Sequence, residues 1–415
     1  MKSYKLGLIG EKLGHSFSRD IHSSLGNYSY DLIEVEKDRL ADFIQKKDYS
    51  GLNVTIPYKE AVIPYLDKTD DHALAIGAVN TIVNKNGELF GYNTDFFGME
   101  RLINHAKIDI SDKTVAILGT GGTSKTADAV VKHLGAKKAI KVSRGNRDGA
   151  ISYDDLYEMA GDIDVIINTT PAGMFPNTEA SPIDISRFER LSGVIDAVYN
   201  PLRTKLILDA KRRGIKAEGG LYMLVGQAVR ASELFTGEVY DEKTTDRVYK
   251  RILREKENIV LIGMPASGKS TIGRILEKKL SRRAFDSDKI IEKEEKRSIP
   301  DIFHKDGEGK FRDIESSVIK RLSLENGIII ATGGGSILRE ENIDNLKKNG
   351  RLYFIDRPLP QLIPTKSRPL ASTPEDIERR FNERYGIYSS AADVRIDANG
   401  SAPMAADKII GDIYS

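Results

Sequence analysis

The sequence predicts an α/β protein with largely parallel sheets, and three observations carry that prediction. Short β-rich runs alternate with helical patterns almost throughout. A glycine-rich loop at Gly119 follows one such run and opens a helical stretch. A second loop at Gly263 does the same in a different motif context. The predicted strands are Lys5–Gly10, Gly51–Ile56, Thr114–Gly119, Ala139–Ser143, Asp164–Asn168, Gly193–Val198, Asn258–Gly263, Gly327–Thr332 and Arg351–Ile355. One hairpin interrupts the alternation. Thr81–Val83 and Glu88–Tyr92 flank Asn84-Lys85-Asn86-Gly87, and Asn-Gly supplies left-handed turn geometry.

A chain of 415 residues divides into about two to four domains at roughly 100–200 residues each. Hydrophobic residues make up 40% and charged residues 30%, a globular composition. The net charge of +2 gives no support for a nucleic-acid groove or an anionic membrane surface. The absence of cysteine excludes disulfides, zinc–thiolate sites and cysteine nucleophiles. The N-terminal residues lack the apolar core of a signal peptide. No apolar run approaches the roughly 20 residues of a membrane span. The expectation is a cytoplasmic enzyme or binding protein acting on small molecules, without nucleic-acid or membrane partners. The charged stretch Asp241–Glu257 is the expected module junction, because a fresh strand–loop–helix follows it.

Gly263-Met-Pro-Ala266-Ser267-Gly268-Lys269-Ser270 fits G-x-x-x-x-G-K-[ST], between an apolar strand and the helical stretch Ser270–Leu280. Its backbone N–H groups can turn around phosphate oxygens, and the helix N-terminus adds positive potential. Lys269 would reach the β- and γ-phosphates of ATP, Ser270 would ligate Mg²⁺, and Thr271 closes the loop's binding set. Asp286-Ser287-Asp288 ends the next apparent strand, so its carboxylates are expected on opposite sides. One suits Mg²⁺ and the other an acceptor hydroxyl.

Residues 258–415 resemble the shikimate kinase family through GMPASGKSTIG, DSD, SIPDIF, GEGKFRDIE, ATGGG, SRPL and ERYGIY, in family order. The resemblance implies a P-loop fold like that of nucleoside-monophosphate kinases. It implies that Asp288, Arg312, Gly334, Gly335 and Arg384 bind shikimate, that Asp286 assists the metal, and that Arg368 comes from a closing lid. Two guanidinium groups suit a carboxylate, and a third suits the transferring phosphoryl group. Taken singly, each arginine is more simply a surface ion pair; the ordered set argues otherwise. Ser287 replaces the family's frequent Thr. The stretch Pro358–Ser372 is short, and no Arg just before Arg368 matches the usual adenine-stacking Arg.

In the first half, Gly119-Thr-Gly121-Gly122-Thr123 is a dinucleotide-binding start of the Rossmann kind, although Ser124 takes the third glycine position. Ser143 and Arg144 follow the second strand, where NAD binders usually carry an acidic residue. A hydroxyl and a guanidinium suit the 2′-phosphate of NADP instead, with Arg147 close by in sequence.

Residues 1–240 resemble shikimate dehydrogenase through GEKLGHSFSRDIH, GLNVTIPYKE, AIGAVNTIV, GYNTDFFG, GTGGTSKT, NTTPAGM, IDAVYNP and GGLYMLVGQA. The resemblance implies a substrate domain over 1–100, a Rossmann domain over 101–220 and a return helix over 221–240. A linker (241–257) and the kinase domain (258–415) would follow. Ser16 and Ser18 would bond the substrate carboxylate, with Tyr199 near it. Thr55, Asn80 and Gln227 would meet hydroxyls or ring. Lys59 and Asp95 would be the catalytic pair: ketone reduction needs hydride on carbon and a proton on oxygen. The loop Asn168–Met174 would border the nicotinamide. Arg19 stands where the family usually has Pro, and Ala197 where it often has a larger residue.

Both halves point to one metabolite. The first would convert 3-dehydroshikimate to shikimate with NADPH, and the second would form shikimate 3-phosphate with MgATP. Two other readings are a quinate/shikimate dehydrogenase of broader specificity fused to a small-acid kinase, and a catalytically dead ligand-binding regulator. Substrate preference separates the first; Lys59, Asp95, Lys269, Asp286 and Arg368 argue against the second.

Overall fold

A computed structural model describes residues 4–14, 16–145, 149–363 and 373–415. Arg368 and Arg147 lie outside the described residues. The chain divides into two compact units, 1–252 and 253–415.

The first unit holds two sheets. Strands β1 (Lys5–Gly10), β2 (Ser29–Glu34), β3 (Gly51–Val54), β4 (Lys68–Thr69), β5 (Thr81–Lys85) and β6 (Glu88–Tyr92) pair in the order β2-β1-β3-β5-β6-β4. β1 is parallel to β2 and β3, whereas β5 is antiparallel to β3 and β6. Lys85 pairs with Glu88, so the β5–β6 turn is the two residues Asn86 (φ 57°) and Gly87 (φ 91°). Both need the left-handed region, which is why Asn-Gly stands there.

Strands β7 (Thr114–Leu118), β8 (Lys138–Val142), β9 (Ala150–Ile151), β10 (Val165–Asn168), β11 (Gly193–Asp196) and β12 (Lys216–Glu218) form an all-parallel sheet, β12-β11-β10-β7-β8-β9. Alternate residues of β7, β10 and β11 fill two cores. Val115, Ile117, Val165, Ile167 and Ile195 pack on one face, and Ala116, Leu118, Ile166 and Val194 on the other. That two-sided burial explains the near-continuous apolar runs. The helix Leu221–Thr236 buries Tyr222 and Met223 in the first of these cores, and Ala231 and Phe235 against Leu6 and Leu8 of β1. One helix thus ties this sheet to the other.

The second unit carries β13 (Asn258–Ile262), β14 (Ala284–Asp286), β15 (Ile329–Ala331), β16 (Gly350–Asp356) and β17 (Val394–Asp397), all parallel, in the order β14-β15-β13-β16-β17. β13 is central and fully buried. Among the described residues, no helix is long and apolar enough to cross a membrane.

The division between residues 252 and 253 lies within the stretch 241–257. Asp241–Glu257 is mostly helix, Thr244–Lys256, because Thr244, Thr245, Val248 and Ile252 make a buried stripe beneath its charges. The Tyr222 hydroxyl donates to Asp246 at 2.6 Å and Arg101 to the Thr245 hydroxyl at 2.6 Å, so its first turns belong to the first unit. One expectation needs correction, that for the acidic motif. Only Asp286 ends a strand; Asp288 lies in the first turn of the helix Ser287–Glu295, which Asp286 caps. The strand argument for opposed carboxylates therefore fails, and on a regular strand residues two apart would share a face in any case.

Candidate active sites

Lys59 is held by its backbone before its side chain matters. Thr55 leaves β3 with its N–H donating to Ile9 at 2.9 Å, and the Lys59 carbonyl accepts from Val79 at 2.8 Å. Between them Tyr58 is buried, its hydroxyl donating to the Val35 carbonyl at 2.5 Å. Lys59 Nζ then meets Asp95 Oδ2 at 2.5 Å, with the two side chains only 17% and 9% exposed. Asp95 is the first residue of the helix Asp95–His105. The Thr94 N–H before it donates to Asn80 Oδ1 at 2.7 Å, and the Thr94 hydroxyl reaches Gln227 Oε1 at 3.4 Å. Asn80 and Gln227 are both buried. The structure thereby brings Lys59, Asp95, Asn80 and Gln227 together around Thr94, which the sequence reading quoted in GYNTDFFG but did not single out.

The carboxylate-binding candidates also meet. Ser16 Oγ donates to Ser18 Oγ at 3.1 Å. Burial raises the Tyr199 phenol above its usual range, and a hydrogen bond with Ser16 opposes that shift. The Phe17 and Tyr199 rings lie 5.3 Å apart. Arg19 turns away from this group: Nε donates to the Tyr30 carbonyl at 3.2 Å, and the guanidinium sits 3.8 Å from Asp31. It thus secures β2 rather than adding to the serines.

The dinucleotide loop fits a pyrophosphate. Gly119 takes φ 110° and sits against Thr169, while Gly121 has open space where a side chain would stand. The helix Gly122–His133 starts there, so its unpaired N–H groups and positive end face the loop. Ser124 is buried and donates to the Gly119 carbonyl at 2.7 Å. A hydroxyl clamp thus stands where the strict motif has glycine. A Cβ on Gly122 would lie 3.8 Å from Lys59 Cδ, so the cofactor loop abuts the Lys59–Asp95 pair. Thr123 lies in that helix's first turn, and Ser143 and exposed Arg144 follow β8. Half-buried Ala197 donates its N–H to the Asn168 carbonyl at 2.9 Å.

In the second unit the loop after β13 takes positive φ at Gly263 (146°), Ala266 (67°) and Gly268 (92°). Lys269 opens the helix Lys269–Leu280, and Nζ donates to the carbonyls of Gly263 (2.7 Å) and Met264 (2.9 Å). That geometry draws the cation over a loop whose N–H groups suit phosphate oxygens. Ser270 and Thr271 follow it, and buried Ser267 lies before it. Asp286 accepts from the N–H groups of Asp288 (3.1 Å) and Lys289 (3.3 Å).

The acceptor candidates converge on Gly333-Gly334-Gly335. Ser287 is buried and accepts from the Gly333 N–H at 2.9 Å, so its hydroxyl ties the acidic motif to the glycines. A Cβ on Gly333 would stand 2.6 Å from both Asp288 Oδ1 and Glu315 Oε1, and one on Gly335 would collide with the Arg312 guanidinium. A side chain at either position would therefore displace the Asp288, Glu315 or Arg312 side chains. The helix Ile299–Ser323 breaks at Gly307, and Arg312 follows that break. Arg312 pairs with Glu315 at 2.6 Å and Glu308 at 3.0 Å. Arg384 donates to the Gly334 carbonyl at 3.1 Å, beside the Tyr388 hydroxyl bonded to the same oxygen. Sequence reading missed Glu315, although it ends the quoted GEGKFRDIE. It is fully buried, and its Oε1 has no hydrogen-bond partner among the described residues. Burial raises its carboxyl above the usual range, and Arg312 pulls it back.

Comparisons with known proteins agree with both halves. The family model described as shikimate dehydrogenase substrate binding domain matches residues 8–82, and that described as shikimate kinase matches residues 265–414. The shikimate dehydrogenase (NADP(+)) of Clostridium perfringens is 38% identical over 264 residues, covering 59% of this chain and 97% of that protein. Among solved structures, a chorismate mutase/shikimate 5-dehydrogenase fusion from Clostridium acetobutylicum is 35% identical with a TM-score of 0.58, covering 61% of this chain and 98% of its own. Quinate dehydrogenase from Corynebacterium glutamicum in complex with NAD is 28% identical with a TM-score of 0.54, covering 60% and 99%. The chain belongs to the shikimate dehydrogenase family and carries a shikimate kinase domain behind it, which makes it a bifunctional shikimate-pathway enzyme.

Proposed function

We propose that the first unit reduces 3-dehydroshikimate to shikimate with NADPH, and that the second phosphorylates shikimate with MgATP. The observation that carries the first half is the Lys59–Asp95 pair seated against the glycine loop. NADPH supplies the hydride when bound. Lys59 gives the proton that the carbonyl oxygen needs, and Asp95 orients Lys59. Ser16, Ser18 and Tyr199 hold the substrate carboxylate; Thr55, Asn80 and Gln227 meet its hydroxyls and ring. Ser143 and Arg144 recognise the 2′-phosphate, with Gly119, Gly121, Gly122 and Thr123 around the pyrophosphate.

In the second unit, Arg312 and Arg384 hold the shikimate carboxylate beside Gly334 and Gly335. Asp288 accepts the proton of the attacking hydroxyl. Gly263, Ala266, Ser267, Gly268, Lys269 and Thr271 hold the ATP phosphates. Mg²⁺ would neutralise phosphate charge, held by Ser270 and Asp286 together with phosphate oxygens, an ordinary small donor set for that ion. Arg368, outside the described residues, would neutralise charge on the transferring phosphoryl group. Both units act on small molecules, and the enzyme works in the cytoplasm.

Arg144 separates this reading from quinate oxidation with NAD. Steady-state rates with 3-dehydroshikimate are expected to favour NADPH over NADH. Arg144→Ala is expected to shrink that preference by about tenfold, since one charge-assisted hydrogen bond is worth about 1.5–3 kcal/mol. Faster quinate oxidation with NAD, or a preference unmoved by R144A, would contradict the assignment.

A further inference from the structure

Asp196 ends β11 and is fully buried, yet it takes no part in the chemistry above. Its Oδ1 accepts from Asn168 Nδ2 at 2.9 Å and from the Val198 N–H at 3.0 Å. Its Oδ2 accepts from the Thr204 hydroxyl at 2.6 Å. Each donor belongs to a different segment. Asn168 ends the neighbouring strand β10 and opens the loop Asn168–Met174. Val198 precedes Tyr199. Thr204 caps the helix Lys205–Arg212, accepting from the Ile207 N–H.

We propose that Asp196 is a positioning residue that sets the affinity for the nicotinamide end of the dinucleotide, by fixing the Asn168–Met174 loop through Asn168. This rests on the reading that the loop borders the nicotinamide. The relay is short. Asn168 gives its amide to Asp196 and uses its oxygen inward, accepting from the Thr170 N–H at 3.0 Å and the Thr170 hydroxyl at 2.7 Å. The Thr170 hydroxyl in turn accepts from the Ala172 N–H at 3.3 Å. The bond to Asp196 thus fixes which way the Asn168 amide faces, and with it the first turns of the loop. Thr169 then lies against Gly119, its N–H and hydroxyl both on the Leu118 carbonyl at 3.0 and 2.6 Å. A loop misplaced there meets the dinucleotide at its first glycine.

The chemistry of Asp196 suits positioning rather than charge. Its three hydrogen-bond partners among the described residues are neutral: an amide, a backbone N–H and a hydroxyl. Burial pushes its carboxyl up to about 7, against the three hydrogen bonds that lower it. An uncharged acceptor of the same shape should therefore serve nearly as well, and a side chain without oxygen should not.

Dissociation constants for NADPH, by nicotinamide fluorescence, and for shikimate, by calorimetry, test this in the full chain. Asp196→Ala is expected to weaken NADPH about tenfold, the equivalent of about one hydrogen bond, with shikimate moving less than twofold. Asp196→Asn is expected to restore NADPH binding to within about twofold of wild type. Asn168→Ser, which breaks the relay but keeps Asp196 with Thr204, is expected to show the same selective loss and covers a D196A protein that does not fold. Equal NADPH affinity in N168S and wild type, or equal weakening of both ligands in the variants, would overturn the positioning role. A wild-type chain that binds no NADPH would instead remove the functional reading beneath it.

Discussion

Replacing Lys59 with alanine is expected to lower kcat for ketone reduction by about 10²–10⁴-fold, the usual contribution of a positioned general acid. Affinity for shikimate and NADPH should change by less than about threefold, because Ser16, Ser18, Tyr199 and the glycine loop remain. The geometry explains the split. Lys59 is anchored through Thr55, Tyr58 and Val79 and meets Asp95 at 2.5 Å. Its removal takes a proton donor from the site but no loop anchor. Asp95→Asn should follow the same pattern with a smaller loss, since Asp95 acts through Lys59. A K59A enzyme whose kcat survives within a few-fold would end the acid–base assignment.

Replacing Arg312 with alanine is expected to lower shikimate kinase efficiency by about 10–100-fold, since a charge-assisted hydrogen bond is worth about 1.5–3 kcal/mol. The loss should appear mainly as a raised KM for shikimate. A second effect follows from Glu315, whose 2.6 Å ion pair it loses. A buried charge deprived of its partner typically costs about 3–5 kcal/mol. The kinase unit of R312A should therefore also melt earlier, and R312A combined with Glu315→Gln should recover part of that stability. Dehydrogenase rates should not change. Unaltered kinase kinetics in folded R312A would remove it from the acceptor site.

Much of this was legible because both glycine loops sat between a strand and a helix. The apolar runs at β7, β10 and β13 were readable because both faces of those strands are buried. β2 was not readable: its burial alternates imperfectly, as an edge strand's does. β4, β9 and β12 have two or three residues each, too few for any period. The helix within Asp241–Glu257 was not legible because its charges mask a four-residue buried stripe. Asp288 misled because a capping aspartate and the strand before it share one short motif. Among site residues, sequence order named most side chains that meet. It missed Thr94, Asp196 and Glu315, which contact the named residues and have no spacing signal of their own. Only contacts reveal them, such as the three donors around Asp196 or the Gly333–Glu315 approach.

The central claim is that one chain makes shikimate and then phosphorylates it. Purified protein incubated with 3-dehydroshikimate, NADPH and MgATP, read by mass spectrometry, tests it most directly. The account predicts shikimate 3-phosphate, with NADPH and ATP each required. Shikimate accumulating without its phosphate, or 3-dehydroshikimate left unchanged, would contradict it.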